Sequence, residues 1–281
     1  HPAEEILRVD NQFRKTLGYP SRMDHMMQPW AERNPEPEGH LLGLRYSILS
    51  NERVSDVKLA MERPETAAIR FNGKCVETAA DGFFTDKAIR TVLLPDLEKG
   101  ENELLLEIPF GRRTNVEWCY LLGHFGVRVA GAHTWIEKAP EQLAFGDWVP
   151  QGLPFYTGNI IYQCPVTVKK EISDAVLEIP HFSAPVLVVH LDGIRKGVLA
   201  FAPHRLCLGR LAEGRHRIDI TAYGNRFNAF GTLHNANEEY LWYGPDSYRT
   251  RGSQWTDSYL LHEMGIRTTP VLYERKKNPE E

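Results

Sequence analysis

In the first 17 residues the apolar positions Ile6, Val9, Phe13 and Leu17 recur at i, i+3, i+7 and i+11, and apart from Leu7 the residues between them are charged or polar. That spacing defines one face of a helix and predicts a single amphipathic helix, ended by Gly18-Tyr-Pro20. Asn34-Pro-Glu-Pro-Glu-Gly39 reads as a linker. Beyond it the pattern changes to short runs rich in β-branched and aromatic residues, separated by Asn-Gly, Asp-Gly, Lys-Gly and Glu-Gly pairs. Ala175-Val-Leu-Glu-Ile-Pro180, Val186-Leu-Val-Val-His-Leu191 and His216-Arg-Ile-Asp-Ile-Thr221 are predicted strands. Leu187, Val189 and Leu191 fall on one face of theirs, and Ile218 and Ile220 share a face of another. Asn72-Gly73 and Asp192-Gly193 are predicted to close tight hairpins. The pattern is all-β.

The runs are also self-similar. Cys119-Tyr-Leu-Leu-Gly-His-Phe-Gly-Val-Arg128 reappears as Ser258-Tyr-Leu-Leu-His-Glu-Met-Gly-Ile-Arg267, and Ile69-Arg-Phe-Asn-Gly73 resembles Val189-His-Leu-Asp-Gly193. The run from Leu97 to Ile108 resembles that from Leu211 to Ile220, with Gly100 matching Gly214. The separation widens from the Gly100 and Gly214 correspondence to that of Cys119 and Ser258, which places extra residues of the second copy between about Tyr223 and Ser258. The expected organisation is an N-terminal helix and linker over 1–38, a first β-sandwich over 39–136, and a second over 137–281 with a loop insertion near 224–257. A junction is expected from Glu137 to Gly152.

Composition narrows the partners. A chain of 281 residues with 42% hydrophobic and 10% aromatic content can bury two cores. Its 33 basic and 37 acidic residues are dispersed and sum to −4, so no basic stripe predicts a nucleic acid partner. No apolar run approaches the roughly 20 residues that cross a bilayer, and a soluble protein with no membrane partner is expected. The start at His1-Pro2, without Met, predicts a fragment of a longer polypeptide or a processed start. Cys75, Cys119, Cys164 and Cys207 stand apart, with no C-x-x-C pair, and are expected to be buried or semi-buried free thiols. With no N-x-S/T acceptor either, they point weakly to a reducing, bacterial cytoplasmic setting.

The stretch Ala184-Pro-Val-Leu-Val-Val-His-Leu-Asp-Gly193, followed by Phe201-Ala-Pro-His204 and Leu208-Gly-Arg-Leu-Ala-Glu-Gly214, resembles the sugar-binding domain of glycoside hydrolase family two. Gly152-Leu-Pro-Phe-Tyr-Thr-Gly-Asn-Ile-Ile-Tyr162 looks like the opening strand of that domain. Together with the stretch from Leu7 to Pro20 and with Gln28-Pro-Trp30, the chain is similar to the C-terminal region of large bacterial glycosidases of the α-L-rhamnosidase-like kind. The resemblance implies two tandem jelly-roll, galactose-binding-like sandwiches, a carbohydrate ligand, and as partner the catalytic domain of the same parent polypeptide. It transfers no ligand residue, and it puts the hydrolytic carboxylates in a separate barrel for which this chain has no strand and helix units.

Motifs for other chemistry are missing or incomplete. Gly252-Ser253-Gln254 is not a nucleophile elbow, and His262-Glu263-Met264-Gly265-Ile266 lacks the second His of a zinc motif and lies in a predicted strand. No phosphate-binding Gly loop occurs, so neither cofactor nor metal is expected; Asp81, Asp86 and Asp96 form no dense calcium loop. The insertion is the best functional lead because it mixes aromatic faces with short polar groups, as pyranose recognition requires. Trp242, Tyr243 and Trp255 are candidate sugar platforms, and His234, Asn235, Asn237 and Glu238 candidate hydroxyl partners. The competing reading makes these aromatics plugs or packing surfaces. Glu238, Glu239, Asp246 and Asp257 raise the alternative of a small stand-alone glycosidase or lyase, and a purely structural spacer is the third reading. Trp135 and Trp148, with Asp147, are expected at the inter-module junction, Trp118 and Tyr120 in the core, and Arg128 and Arg267 in structural ion pairs.

Overall fold

A computed structural model describes residues 3–21, 37–114, 116–236 and 252–276. The chain is strand-rich and divides into two compact units, one of His1–Ala139 with Thr232–Leu260 and one of Pro140–Gly231 with Leu261–Glu281. The second-half excursion seen in the sequence therefore groups, from Thr232 onward, with the first unit.

The first unit opens on helix α1, Ile6–Thr16. The Glu5 side chain accepts from the Leu7 and Arg8 amides, satisfying N–H groups that the first turn leaves without partners. Ile6, Val9, Phe13 and Leu17 pack on the unit's core, as their spacing predicts. The strands are β1 (His40–Ser50), β2 (Lys58–Glu62), β3 (Ala68–Phe71), β4 (Lys74–Val76), β5 (Gly82–Phe84), β6 (Asp86–Leu93), β7 (Gly100–Phe110), β8 (Tyr120–Leu122), β9 (Gly126–Ala130) and β10 (His133–Glu137). They form a six-stranded sheet in the order β4-β3-β7-β1-β10-β9 and a four-stranded sheet β5-β6-β2-β8. Leu42 and Leu44 of β1, Phe71 of β3 and Leu104 and Leu106 of β7 share one buried cluster with Leu59 and Met61 of β2 and Val92 of β6. Each such side chain contributes roughly 1.5–3 kcal/mol on burial.

The second unit contains β11 (Ile160–Val168), β12 (Ile172–Glu178), β13 (Phe182–Ser183), β14 (Leu187–Leu191), β15 (Ile194–Leu199), β16 (Arg205–Leu211), β17 (Gly214–Ala222), a single helical turn Phe227–Phe230, β18 (Gly265–Ile266) and β19 (Val271–Glu274). Its sheets run β11-β17-β14-β15, β16-β12-β19 and β13-β18. Leu187, Val189, Leu191, Ile218 and Ile220 are all buried in its core, on the faces that alternation assigns them.

In both units the strand pair joined by an Asn-Gly or Asp-Gly turn, β3-β4 and β14-β15, pairs through its first member with the long strand that opens on Gly100 or Gly214. The turn residues Asn72 and Gly73 have φ of 49° and 75°, and Asp192 and Gly193 have 50° and 81°. Both turn residues are thus left-handed, which is what the expected tight hairpin requires.

Three expectations change. Trp148 is fully buried in the second unit's own core, where Asp147 Oδ1 accepts from the Met264 amide at 2.9 Å, so a large ring read as junctional is interior. Cys75 and Cys207 are exposed because they sit on outward positions, and only Cys119 and Cys164 are half-buried; all four are free. His262 lies outside any strand, its ring against Phe227, and the strand begins only at Gly265. Among the described residues no helix is long and apolar enough to cross a membrane.

Candidate functional site

The site is assembled in the first unit by two short stretches that pair without forming a regular strand. Asn235 and Trp255 make an antiparallel bridge. Around it the Ala236 amide donates to the Gln254 carbonyl (2.9 Å), the Thr256 amide to the His234 carbonyl (3.0 Å), and the Leu260 amide to the Leu233 carbonyl (2.7 Å). This pairing stacks the His234 and Trp255 rings, with centroids 4.8 Å apart and planes inclined by 25°. Tyr259 stands 4.8 Å from His234 on a tilted ring, and its amide donates to the Gly131 carbonyl in the β9-β10 turn at 3.0 Å.

Of the candidates named from sequence, His234, Asn235 and Trp255 are brought together, whereas Trp242, Tyr243, Asn237 and Glu238, like Glu239 and Asp246, lie outside the described residues. His234 Nδ1 is 3.1 Å from the Thr256 carbonyl, which can only accept, so the proton is assigned to Nδ1. Burial pushes the His234 pKa down, against hydrogen bonds to the Thr256 and Ser258 backbone and the charge of Asp257. The imidazole is therefore neutral near pH 7.

Trp255 is half-buried, and its Nε1–H donates to Asp257 at 3.2 Å. The Arg8 guanidinium lies 5.3 Å from the indole centroid, within cation–π range, and Arg8 Nε donates to Glu4 at 2.8 Å. Next to Glu4, Glu5 accepts from the Trp118 indole at 2.9 Å. Burial raises the Tyr259 pKa, with the Glu5 charge adding to it. Arg8, Glu5, Tyr259 and Trp118 were not singled out as site residues by the sequence. On α1, Arg8 reads as solvated helix surface; only the fold brings it to an indole nearly 250 positions away. Trp118 is half-buried with its polar edge engaged, so it is not plain core.

No family model and no curated protein matches this sequence. Solved structures do. The chain is similar to a rhamnosidase from Novosphingobium sp. PP1Y, at 16% identity and a TM-score of 0.31, over 85% of this chain and 23% of that one. It is similar to the α-L-rhamnosidase of Streptomyces avermitilis complexed with L-rhamnose, at 14% identity and a TM-score of 0.32, over 85% and 25%. It is also similar to the Pleurotus ostreatus lectin in its apo form, at 10% identity and a TM-score of 0.23, over 66% and 68%. The chain spans about a quarter of the length of the two rhamnosidases.

The remaining candidates have structural partners. Arg128 pairs with Glu137 at 2.9 Å and lies 4.0 Å over the half-buried Trp135 ring, and Arg267 pairs with Glu263. Asp81 pairs with Lys58 at 2.6 Å and Asp96 with Arg53 at 2.9 Å; among the described residues no group of three or more His, Cys, Asp or Glu is placed to hold a metal ion. Glycoside hydrolysis needs a carboxylic acid whose pKa is raised. The described carboxyls with displaced pKa are Glu38, held low by Arg63; Asp81, by Lys58; Asp192, by His216; and Glu274, by the Ser173 backbone and hydroxyl. All four are held ionised.

Proposed function

We propose that this chain is a non-catalytic, carbohydrate-binding accessory region of a bacterial glycoside hydrolase, built from two duplicated β-sandwiches of jelly-roll, galactose-binding-like type. The duplication is supported by the matching turn and long-strand arrangement of the two units and by their self-similar sequence. The hydrolase relation rests on the sequence resemblance carried by Ala184 to Gly214 and its flanks. The catalytic domain of the parent polypeptide is the partner in this reading, and the described part of the sugar site is the edge of the Trp255 and His234 stack.

The observation that carries the carbohydrate reading is that stack itself, a half-buried indole and a neutral imidazole beside the exposed carboxylate Asp257 and the cation Arg8. Apolar ring edges and placed donors and acceptors are what a neutral hydroxylated ligand meets. Trp242, Tyr243, Asn237 and Glu238 extend this proposed site. Titration of the full chain with methyl glycosides, followed by tryptophan fluorescence, is expected to give saturable binding that Trp255→Ala removes, with no hydrolysis of aryl glycosides. Turnover abolished by one Glu or Asp substitution would establish the small-glycosidase alternative instead.

One observation favours the structural-spacer reading: the Trp255 ring already has partners in His234, Arg8 and Asp257. Under that reading Trp255→Ala lowers stability, and no glycoside protects the indole from a quencher.

A further inference from the structure

Two side chains lie on the Trp255 ring, and they are held very differently. The stacked His234 imidazole is fixed by further contacts, with Nδ1 at 3.1 Å from the Thr256 carbonyl and the Tyr259 ring at 4.8 Å. The Arg8 guanidinium reaches over the indole from α1, 5.3 Å from its centroid. Its one other side-chain partner among the described residues is Glu4, which accepts from Arg8 Nε at 2.8 Å. Both members of that pair remain in contact with solvent, at 30% and 24% exposure.

The backbone that carries Arg8 is firmly placed. Ile6 and Val9 pack on the core, the Glu5 carboxylate caps the first turn and accepts from the Trp118 indole, and Arg14 pairs with the buried Asp10 further along the helix. The Arg8 side chain can therefore swing off the indole while α1 stays where it is. A pyranose is recognised by laying its C–H face on an aromatic ring, and a guanidinium already over that ring competes for the same place. What holds the guanidinium there is modest. An exposed i,i+4 ion pair and one exposed cation–π contact each change an equilibrium by less than about tenfold.

We propose that Arg8 is a displaceable cover on the Trp255 ring, an autoinhibitory contact that a sugar pushes aside in order to stack there. This role rests on the carbohydrate reading above and adds the step that precedes binding at that same site. It also reconciles the existing partners of the indole with a ligand: the imidazole stays, and the guanidinium gives way.

The full chain and its Arg8→Ala variant are titrated by calorimetry with the methyl glycosides of glucose, galactose and mannose, with Trp255→Ala as the control for binding at the indole. In parallel Trp255 is probed with acrylamide, its share of the quenching being the difference from Trp255→Phe. Alanine is the strongest helix former, so Arg8→Ala keeps α1, which far-UV circular dichroism checks. The variant is expected to bind the glycoside about 3–10-fold more tightly. Quenching of Trp255 is expected to rise in Arg8→Ala and to fall again when the sugar is added. If Arg8 instead buttresses the indole for the sugar, the variant binds more weakly; equal or weaker binding overturns the cover and leaves the carbohydrate reading standing. Unchanged quenching of Trp255 overturns the cover as well. Absence of any Trp255-dependent binding in both proteins removes the carbohydrate reading and the cover with it.

Discussion

The imidazole of His234 stacks on the indole of Trp255 at 4.8 Å, and that ring pair joins two stretches of chain 21 residues apart which share no regular strand. A double-mutant cycle between His234→Ala and Trp255→Ala, read by urea unfolding, is expected to give a coupling of about 0.5–1.5 kcal/mol. Additive effects would mean that the rings are neighbours without interacting. The folded pKa of His234 lies below its unfolded value near 6.5, so between the two the unfolded chain takes up the proton and the native state does not. The stability linked to His234 is therefore present above pH 6.5 and lost as pH falls toward the folded pKa. NMR titration of its ring protons checks the sign.

His216 behaves in the opposite sense. Nδ1 is 2.7 Å from Asp192 and Nε2 2.9 Å from the Ala212 carbonyl, so both nitrogens face acceptors and the imidazolium is the form that satisfies them. Asp192 raises the His216 pKa first, then the Ala212 carbonyl, and His216 in turn lowers that of Asp192. The contribution of His216 is complete below its unfolded value near 6.5 and disappears as pH rises through the folded value. Asp192→Asn is expected to bring the His216 titration back down toward 6.5. A titration that stays high in the variant would assign the shift to Ala212.

Inside α1, the Asp10 and Arg14 side chains are almost completely buried, at 0% and 6% exposure, and Arg14 also donates to the Arg112 and Thr114 carbonyls. Arg14→Leu leaves the Asp10 carboxylate without its guanidinium and is expected to cost about 3–5 kcal/mol. The Asp10→Leu/Arg14→Met double variant is expected to recover most of that loss in denaturant unfolding. If the double variant is as unstable as the single one, the carbonyl contacts and not the charge pair hold the helix.

Gly73 and Gly193 occupy left-handed positions in open space, where an added Cβ meets nothing within 4 Å. Gly73→Ala and Gly193→Ala are therefore expected to cost about 1–2 kcal/mol each through backbone strain alone. Gly265→Ala is expected to cost more, because there the Cβ would also come within 2.8 Å of the Tyr162 hydroxyl and 3.1 Å of the Trp148 ring. Thermal unfolding of the three variants ranks them.

Features set by neighbours in sequence were legible in it. The 3–4 spacing of Ile6, Val9, Phe13 and Leu17 gave the helix and its buried face, the alternation of Leu187, Val189 and Leu191 gave an inward-facing strand, and Asn72-Gly73 and Asp192-Gly193 gave two hairpins. Features set by packing were not. Nothing local distinguishes Trp148, sealed in a core, from Trp255, half-buried beside a cation, since both are single indoles in irregular chain. The local sequence of the 232–260 stretch did not reveal that it belongs with the first unit either. The bond from the Tyr259 amide to the Gly131 carbonyl spans more than 120 residues.

Because the first unit takes its residues from 1–139 and again from 232–260, the two units are threaded through each other along the chain. A polypeptide emerging from the ribosome has made all of the second unit's long strands before the closing segment of the first is available. A gene truncated after Ala139 would encode an unfinished first unit. Isolating the first unit calls instead for rejoining the chain across 139 and 232 and ending it at Leu260, since 261–281 belongs to the second unit as well.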